Sequence, residues 1–309
     1  MRNRPRVMLA GLFVPILGLI AWAFLRAHEP EPSYRGKPLR AWVSDLGQST
    51  LGHSTLEQGN FAWDDWPLAK AGQNPEAAEA VRQIGSAGFS YLLSALTNTD
   101  PAWKMKMAQV LPRQLLNRIP MHTTARPRRN AAVAFVVLGT QAESVTPELA
   151  QALYNDPSRK AAAVALSAVG PRGWTALTQA INSTNEWSAI YAVWALAHRR
   201  ATVPGTLEAL ESATINRAGT VSGMASWALG KIGQDKEHVI PFLITTLGST
   251  NAQARFGAMF GIGCFGTNAL CAVPLLLEAL QDRDVTIRDG ATASLKQIDP
   301  EAAAKAGVK

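Results

Sequence analysis

Five histidines and two cysteines are the side chains of this sequence best suited to metal binding or proton transfer. They are His28, His53, His122, His198 and His238, with Cys264 and Cys271. Zinc sites need such residues in clusters, close enough along a helix or turn to converge on one ion. No histidine here has a second histidine or a cysteine at that spacing, and H-E-x-x-H does not occur. The sequence also lacks the G-x-S-x-G nucleophile elbow and the phosphate-cradling G-x-x-x-x-G-K-[ST] loop. Asp64 and Asp65 are adjacent carboxylates, but neighbours on a helix point apart and cannot share a substrate. No catalytic residue, no metal site and no cofactor is therefore predicted. The cysteines leave two readings. Seven residues along one straight helix would rise about 10 Å, beyond the reach of a disulfide. Gly266-Thr-Asn-Ala lies between them, however, and a turn there would let Cys264 and Cys271 pair in an oxidising compartment. Otherwise they are two small apolar-like residues.

Charge points to binding rather than catalysis. The net charge is +7. Arg2, Arg4, Arg6 and Arg26 fall in the first 27 residues, which hold no acid, so the remainder carries 26 basic and 23 acidic residues. Between Ala102 and Ala142 stand Lys104, Lys106, Arg113, Arg118, Arg126, Arg128 and Arg129, again without an acid. Lys104, Lys106, Arg126, Arg128 and Arg129 are the candidate contacts to an anion: lipid headgroups of a membrane surface, acidic polysaccharide or nucleic acid. The small positive excess of the remainder disfavours nucleic acid. The plain alternative is a solvated convex face plus a loop.

The elements that must carry these residues announce themselves by repetition. Segments 163–181, 192–210, 225–247 and 260–280 share one layout. Leu196, Leu229, Ile262 and Leu295 recur every 33 residues, and Gly233 and Gly266 keep the same interval. Each unit reads as an Ala-rich helix, a glycine-containing turn, a second helix and a polar turn. Glycines are assigned to the turns, where they end helices. Pro147, Pro204, Pro241 and Pro274 are assigned to the first turn of the second helix, where a missing N–H loses no bond. Such a unit cannot bury its apolar face alone and must stack on its neighbours.

Trp227-Ala-Leu-Gly-Lys-Ile-Gly with Val239-Ile-Pro-Phe-Leu, and Gly261-Ile-Gly-Cys-Phe-Gly with Val273-Pro-Leu-Leu-Leu, make the chain resemble HEAT-repeat proteins. The likeness is to the short units related to lyase-type HEAT-like repeats. It covers roughly 128–299, with a weaker match from about Ala77. It implies an all-α fold, an α-α superhelix or HEAT-like solenoid, with second helices on the concave face. Tyr34-Arg-Gly-Lys-Pro-Leu-Arg-Ala-Trp-Val also looks like a leader found before the repeats in membrane-anchored bacterial HEAT proteins. Residues four beyond Pro147, Thr175, Pro204, Pro241 and Pro274 are Gln151, Gln179, Glu208, Thr245 and Glu278. This column is polar in every unit, hence solvent-facing, and forms a neutral to weakly acidic candidate binding surface. Trp194, Trp227 and Phe260 share another register and read as inter-repeat core. His198, beside Arg199 and Arg200, reads as part of a solvated basic corner.

The N-terminal quarter is different in kind. Val7 to Leu25 is an uncharged run of 19 residues, long enough for a helix to span a bilayer core. Two readings stay open: an uncleaved signal anchor, and a signal peptide cleaved near Ala21-Trp-Ala23 with release of a secreted protein. In the first, the arginines before the span keep the N-terminus cytoplasmic and place the repeats in the periplasm or at the cell surface. The expected organisation is a signal anchor over 1–27 with one transmembrane helix at 7–25, and a Pro-rich extended tether over 28–37. A cap region over 38–74, including a short helix from Leu39 to Leu46, precedes the repeat solenoid over 75–309. The cap also contains the aromatic, acidic stretch Phe61 to Pro67. These features predict a non-catalytic, membrane-anchored scaffold that binds an unidentified protein partner outside the cytoplasm. The alternatives are an anion-binding module acting through residues 102–142, and a lyase-type HEAT-like enzyme, for which no residue pattern marks a site.

Overall fold

The computed structural model describes residues 31–48, 74–98 and 125–308. Within them, Ser33–Tyr34 (β1) and Lys37–Pro38 (β2) pair antiparallel, Ser33 opposite Pro38 and Tyr34 opposite Lys37. Arg35 and Gly36 form the turn with φ of 51° and 76°, the left-handed pair that a two-residue hairpin needs. The end of the expected tether is thus a folded hairpin rather than extended chain. It leads straight into α1 (Leu39–Gln48). Leu39, Trp42, Val43 and Leu46 of α1 are buried, spaced as one helical face. Trp42 Nε1 donates to the Tyr34 carbonyl at 3.2 Å, and Lys37 pairs with Asp45, so hairpin and helix form one unit. That unit packs on the helices 75–84 and 125–138.

The rest is pairs of helices. They are α2 (Pro75–Ile84) with α3 (Phe89–Thr97), α4 (Ala125–Leu138) with α5 (Thr146–Ala152), and α6 (Arg159–Ala168) with α7 (Pro171–Ile181). Next come α8 (Glu186–Arg199) with α9 (Thr206–Asn216), and α10 (Gly219–Ile232) with α11 (Lys236–Thr246). The last are α12 (Ala252–Gly263) with α13 (Val273–Ala279), and α14 (Val285–Ile298) with α15 (Pro300–Lys305). From α4 onward each first helix lies against the first helix of the next pair. The described fold is an all-α helical repeat. Among the described residues no helix is long and apolar enough to cross a membrane; the run 7–25 lies outside them.

The apolar register is the spine of the core. Leu166, Leu196, Leu229, Ile262 and Leu295 are each 0% exposed. Leu229→Ala is expected to cost roughly 2–5 kcal/mol, the transfer term plus the cavity it leaves. Chemical denaturation measures this, and a midpoint equal to the parent's would show that the register is not the core.

A second 33-residue register caps the first helices. Asn185, Asn251 and Asp284 precede α8, α12 and α14, and each side chain accepts a first-turn N–H. Two residues earlier, Ser183, Ser249 and Asp282 accept the N–H of the cap residue itself. The same position before α10 is Ala218, which has no side-chain cap. Asn251 reaches back toward that turn, its Nδ2 donating to the Arg217 carbonyl at 3.2 Å and to Ser222 Oγ at 3.0 Å. One side chain thereby caps its own repeat and ties it to the previous one.

The prolines divide. Pro147 and Pro274 sit in the first turn of α5 and α13, as does Pro171 in α7. Pro204 precedes α9 altogether, and Pro241 lies inside α11, contrary to the expectation that all four open a helix. The difference lies in the preceding residues. Gly139–Val145 and Gly266–Ala272 are 3₁₀ turns that hand over to a proline-opened helix. In the unit that begins at Gly233, α-helix already starts at Lys236, so the equivalent proline falls in its interior.

Candidate functional site

The second helices carry the surface that the sequence singled out. Gln151 on α5, Gln179 on α7, Glu208 on α9, Thr245 on α11 and Glu278 on α13 are all exposed. Each lies opposite a buried apolar stripe, for example Leu177, Ala180 and Ile181 on α7 and Val239, Ile240 and Leu243 on α11. Their chemistry is varied. Thr245 Oγ1 donates to the Pro241 carbonyl at 3.0 Å and is committed to its own helix. Near Glu208, Glu211 accepts from His238 Nε2 of the next second helix at 2.8 Å. Apolar side chains interrupt the polar column. Ile215, two turns beyond Glu208 on the same stripe of α9, is 68% exposed, and Leu275, one turn before Glu278, is 41% exposed. A ribbon that mixes carboxylates, amides and isolated aliphatics suits a peptide or protein surface better than a small molecule.

The aromatic register is half core and half surface. Trp194 is 1% exposed, whereas Trp227 and Phe260 are only partly buried. Arg199 and Arg200 are exposed, as expected of a basic corner, but His198 beside them is half-buried. It lies in α8 with its ring 4.8 Å from that of Trp194 and 5.6 Å from that of Trp227. Its Nδ1 is 2.8 Å from the Trp194 carbonyl. Arg199 Nε donates to the Ser167 carbonyl at 3.2 Å, in the preceding pair, and burial lowers the pKa of its guanidinium. These contacts tie α8 to the pairs on either side of it.

Cys264 and Cys271 are both free and exposed in this structure. Cys264 caps the C-terminus of α12, and Cys271 lies within the 3₁₀ segment Gly266–Ala272. Enough of the Cys264 thiol is packed that desolvation pushes its pKa up, with Lys231 and Arg200 opposing. Such a thiol is a poor nucleophile at neutral pH.

The basic block is only partly within the described residues; Lys104, Lys106, Arg113 and Arg118 lie outside them. Arg126 is exposed and Arg129 half-buried, but Arg128 is 8% exposed. Arg128 Nε donates to the Leu96 carbonyl at 3.1 Å and Nη2 to the Asn98 carbonyl at 2.7 Å. It caps the end of α3 and cannot reach a headgroup, which removes it from the proposed anion contacts. Arg126 and Arg129 face a cavity against α1 that Arg40 also lines, a partner that the sequence reading left out. The aromatic stretch 61–67 lies outside the described residues.

No family model matches the chain, and no curated protein sequence does. Solved structures align over most of its length but loosely. An engineered protein of the Northeast Structural Genomics Consortium, target OR497, is 20% identical and covers 86% of this chain and 82% of its own, with a TM-score of 0.34. A designed armadillo repeat protein in complex with the peptide (KR)4 is 13% identical, covers 83% and 99%, and gives 0.34. Human deoxyhypusine hydroxylase in complex with glycerol is 15% identical, covers 85% and 98%, and gives 0.33. Overlays this loose carry no inference about binding or catalysis.

Proposed function

We propose that this chain is a membrane-anchored, non-catalytic scaffold of the HEAT-repeat type, which holds a protein partner outside the cytoplasm. The observation that supports it best is the second-helix ribbon, with one exposed polar position held in register over five successive second helices. Maintaining a solvent-facing register needs no function, but the ribbon also carries the exposed aliphatic side chains of Ile215 and Leu275. Contact with a partner would cover them. The anchor rests on the uncharged run 7–25 and the arginines before it.

Two measurements test the reading in cells. A photo-crosslinking residue at Gln179, Glu208 or Thr245 of the full chain is expected to give one shared adduct, and the same residue at Gln253 of α12 none. Equal labelling at all four positions would remove the ribbon as a specific surface. Alkaline phosphatase fused after Lys309 is expected to be active, and inactive once residues 7–25 are deleted. An inactive full-length fusion that accumulates in the cytoplasm would sink the export reading. A mature N-terminus at Phe24 would instead replace the anchor with a cleaved signal.

A further inference from the structure

The charges of the second helices do not balance one another. On α5, α7, α9, α11 and α13 the basic side chains are Arg172, Lys236 and His238. Each already has a carboxylate: Arg172 Nε lies 3.9 Å from Glu143, Lys236 Nζ 3.9 Å from Glu237, and His238 Nε2 2.8 Å from Glu211. Lys236 also donates to Asn268 Oδ1 at 3.1 Å. Glu148, Glu208 and Glu278 are exposed, and among the described residues no cation pairs with them. They stand on alternate second helices, α5, α9 and α13. The face is therefore negative in a chain whose net charge is +7. Packed helices lie about 8–10 Å apart, so successive carboxylates are on the order of 20 Å from one another, too far to share one metal ion. Two of them have an exposed aliphatic neighbour on their own helix: Leu275, one turn before Glu278, is 41% exposed, and Ile215, two turns beyond Glu208, is 68% exposed.

We propose that this face binds an extended, lysine- or arginine-bearing segment of a protein partner, its cations seated on Glu148, Glu208 and Glu278. The inference rests on the scaffold reading and adds the chemistry of the partner. Lysine and arginine carry an aliphatic stem below a charged head. A stem laid over Leu275 brings its head to Glu278 in the next turn, so one side chain answers both features. Ile215 lies about 10 Å from Glu208 along α9 at 1.5 Å per residue, room for a separate apolar residue of the same segment. An extended chain rises about 3.3 Å per residue, so cations roughly six residues apart match carboxylates on alternate helices. On α7, between Glu148 and Glu208, the exposed Gln179 amide offers hydrogen bonds to the backbone of the segment. An acidic segment would meet three carboxylates, and every cation of these helices is already paired. An uncharged apolar one would strip water from the carboxylates and give them no partner.

Full-length protein in neutral detergent is titrated against a fluorescein-labelled peptide with lysine at about every sixth position and leucine and serine between. Its counterpart has glutamate in place of lysine. Fluorescence anisotropy is expected to show saturable binding of the lysine peptide, weakened by salt, and none of the glutamate peptide. Glu208→Gln and Glu278→Gln are each expected to weaken binding about threefold, as for an exposed ion pair, and Glu301→Gln on α15 not at all. All three side chains are exposed, so these variants keep the parent's unfolding midpoint, which separates lost binding from lost folding. In cells, the photo-crosslinked adduct from Gln179 is expected to fall in the Glu208→Gln/Glu278→Gln double variant. Equal affinity for both peptides, or binding undiminished in the ribbon variants, overturns the charge assignment; with the Gln179 adduct intact, the scaffold reading survives. Absence of that adduct from the parent protein removes the scaffold reading itself, and this inference with it.

Discussion

Gly230→Ala is expected to destabilise the repeats by about 3 kcal/mol, the upper end of what overpacking a core costs. Gly230 lies in α10 against α12. A Cβ there would sit 1.9 Å from the Gly261 carbonyl oxygen and 2.4 Å from its Cα. The obstruction is reciprocal, because a Cβ on Gly257 would sit 1.9 Å from the Gly223 carbonyl oxygen. The blocking atoms are backbone, so no rotamer change relieves them. One helix must shift by more than an ångström along a seam that also holds Gly223 and Gly261, whose own added Cβ atoms would meet backbone at 2.6 and 2.7 Å. Against this, alanine in a helix gains about 1 kcal/mol over glycine, which does not offset the clash. Urea unfolding gives the difference. Gly248→Ala is the control: its nearest heavy atom would be 3.5 Å away, and its effect should stay within about 0.5 kcal/mol. If both variants unfold at the parent's midpoint, α10 and α12 can part freely and the backbone contact does not hold the array together.

That seam also shows where sequence reading stopped. The sequence assigns glycines to the turns, which holds for Gly170, Gly205, Gly233 and Gly266, all with positive φ. It fails for Gly223, Gly230, Gly257 and Gly261, which lie within α10 and α12. Their spacing of seven and of four residues puts each pair on one helical face, a signal of close approach that a search for turn residues passes over. The leucine register was legible because burial must recur with the period, and Leu166 to Leu295 obey it. The exposure of Gln151, Gln179, Glu208, Thr245 and Glu278 was legible for the converse reason. The caps at Asn185, Asn251 and Asp284 carry the same 33-residue interval but are polar, so an apolar search does not find them. Arg128 reads as a surface charge in the sequence because its partners are the carbonyls of Leu96 and Asn98, and backbone acceptors leave no mark in a sequence. Arg40 lines the same cavity as Arg126 and Arg129 only because α1 folds back on α4, a tertiary contact with no local signature.

The second large effect is expected at Trp194, where the aromatic register can be tested as core. Trp194→Ala should cost about 3–5 kcal/mol, the range for deleting a buried aromatic ring. Trp194 is 1% exposed, and Lys160 Nζ lies 5.4 Å from its ring centroid. Its ring also supports His198, which lies between it and Trp227 of the next repeat. Removing it therefore opens a cavity and loosens a junction between pairs at once. Trp227 occupies the same register one repeat later but keeps part of its surface in water. Trp227→Ala loses less burial and should cost clearly less, since the energy follows the area returned to solvent. Thermal unfolding of the two variants gives the order. A ligand platform would behave in the opposite way: both variants would keep the parent's midpoint, and only binding would suffer. Equal and small losses at Trp194 and Trp227 would thus return the aromatic register to the list of candidate surfaces, whereas the expected inequality makes it the packing between repeats that holds the second-helix ribbon in line.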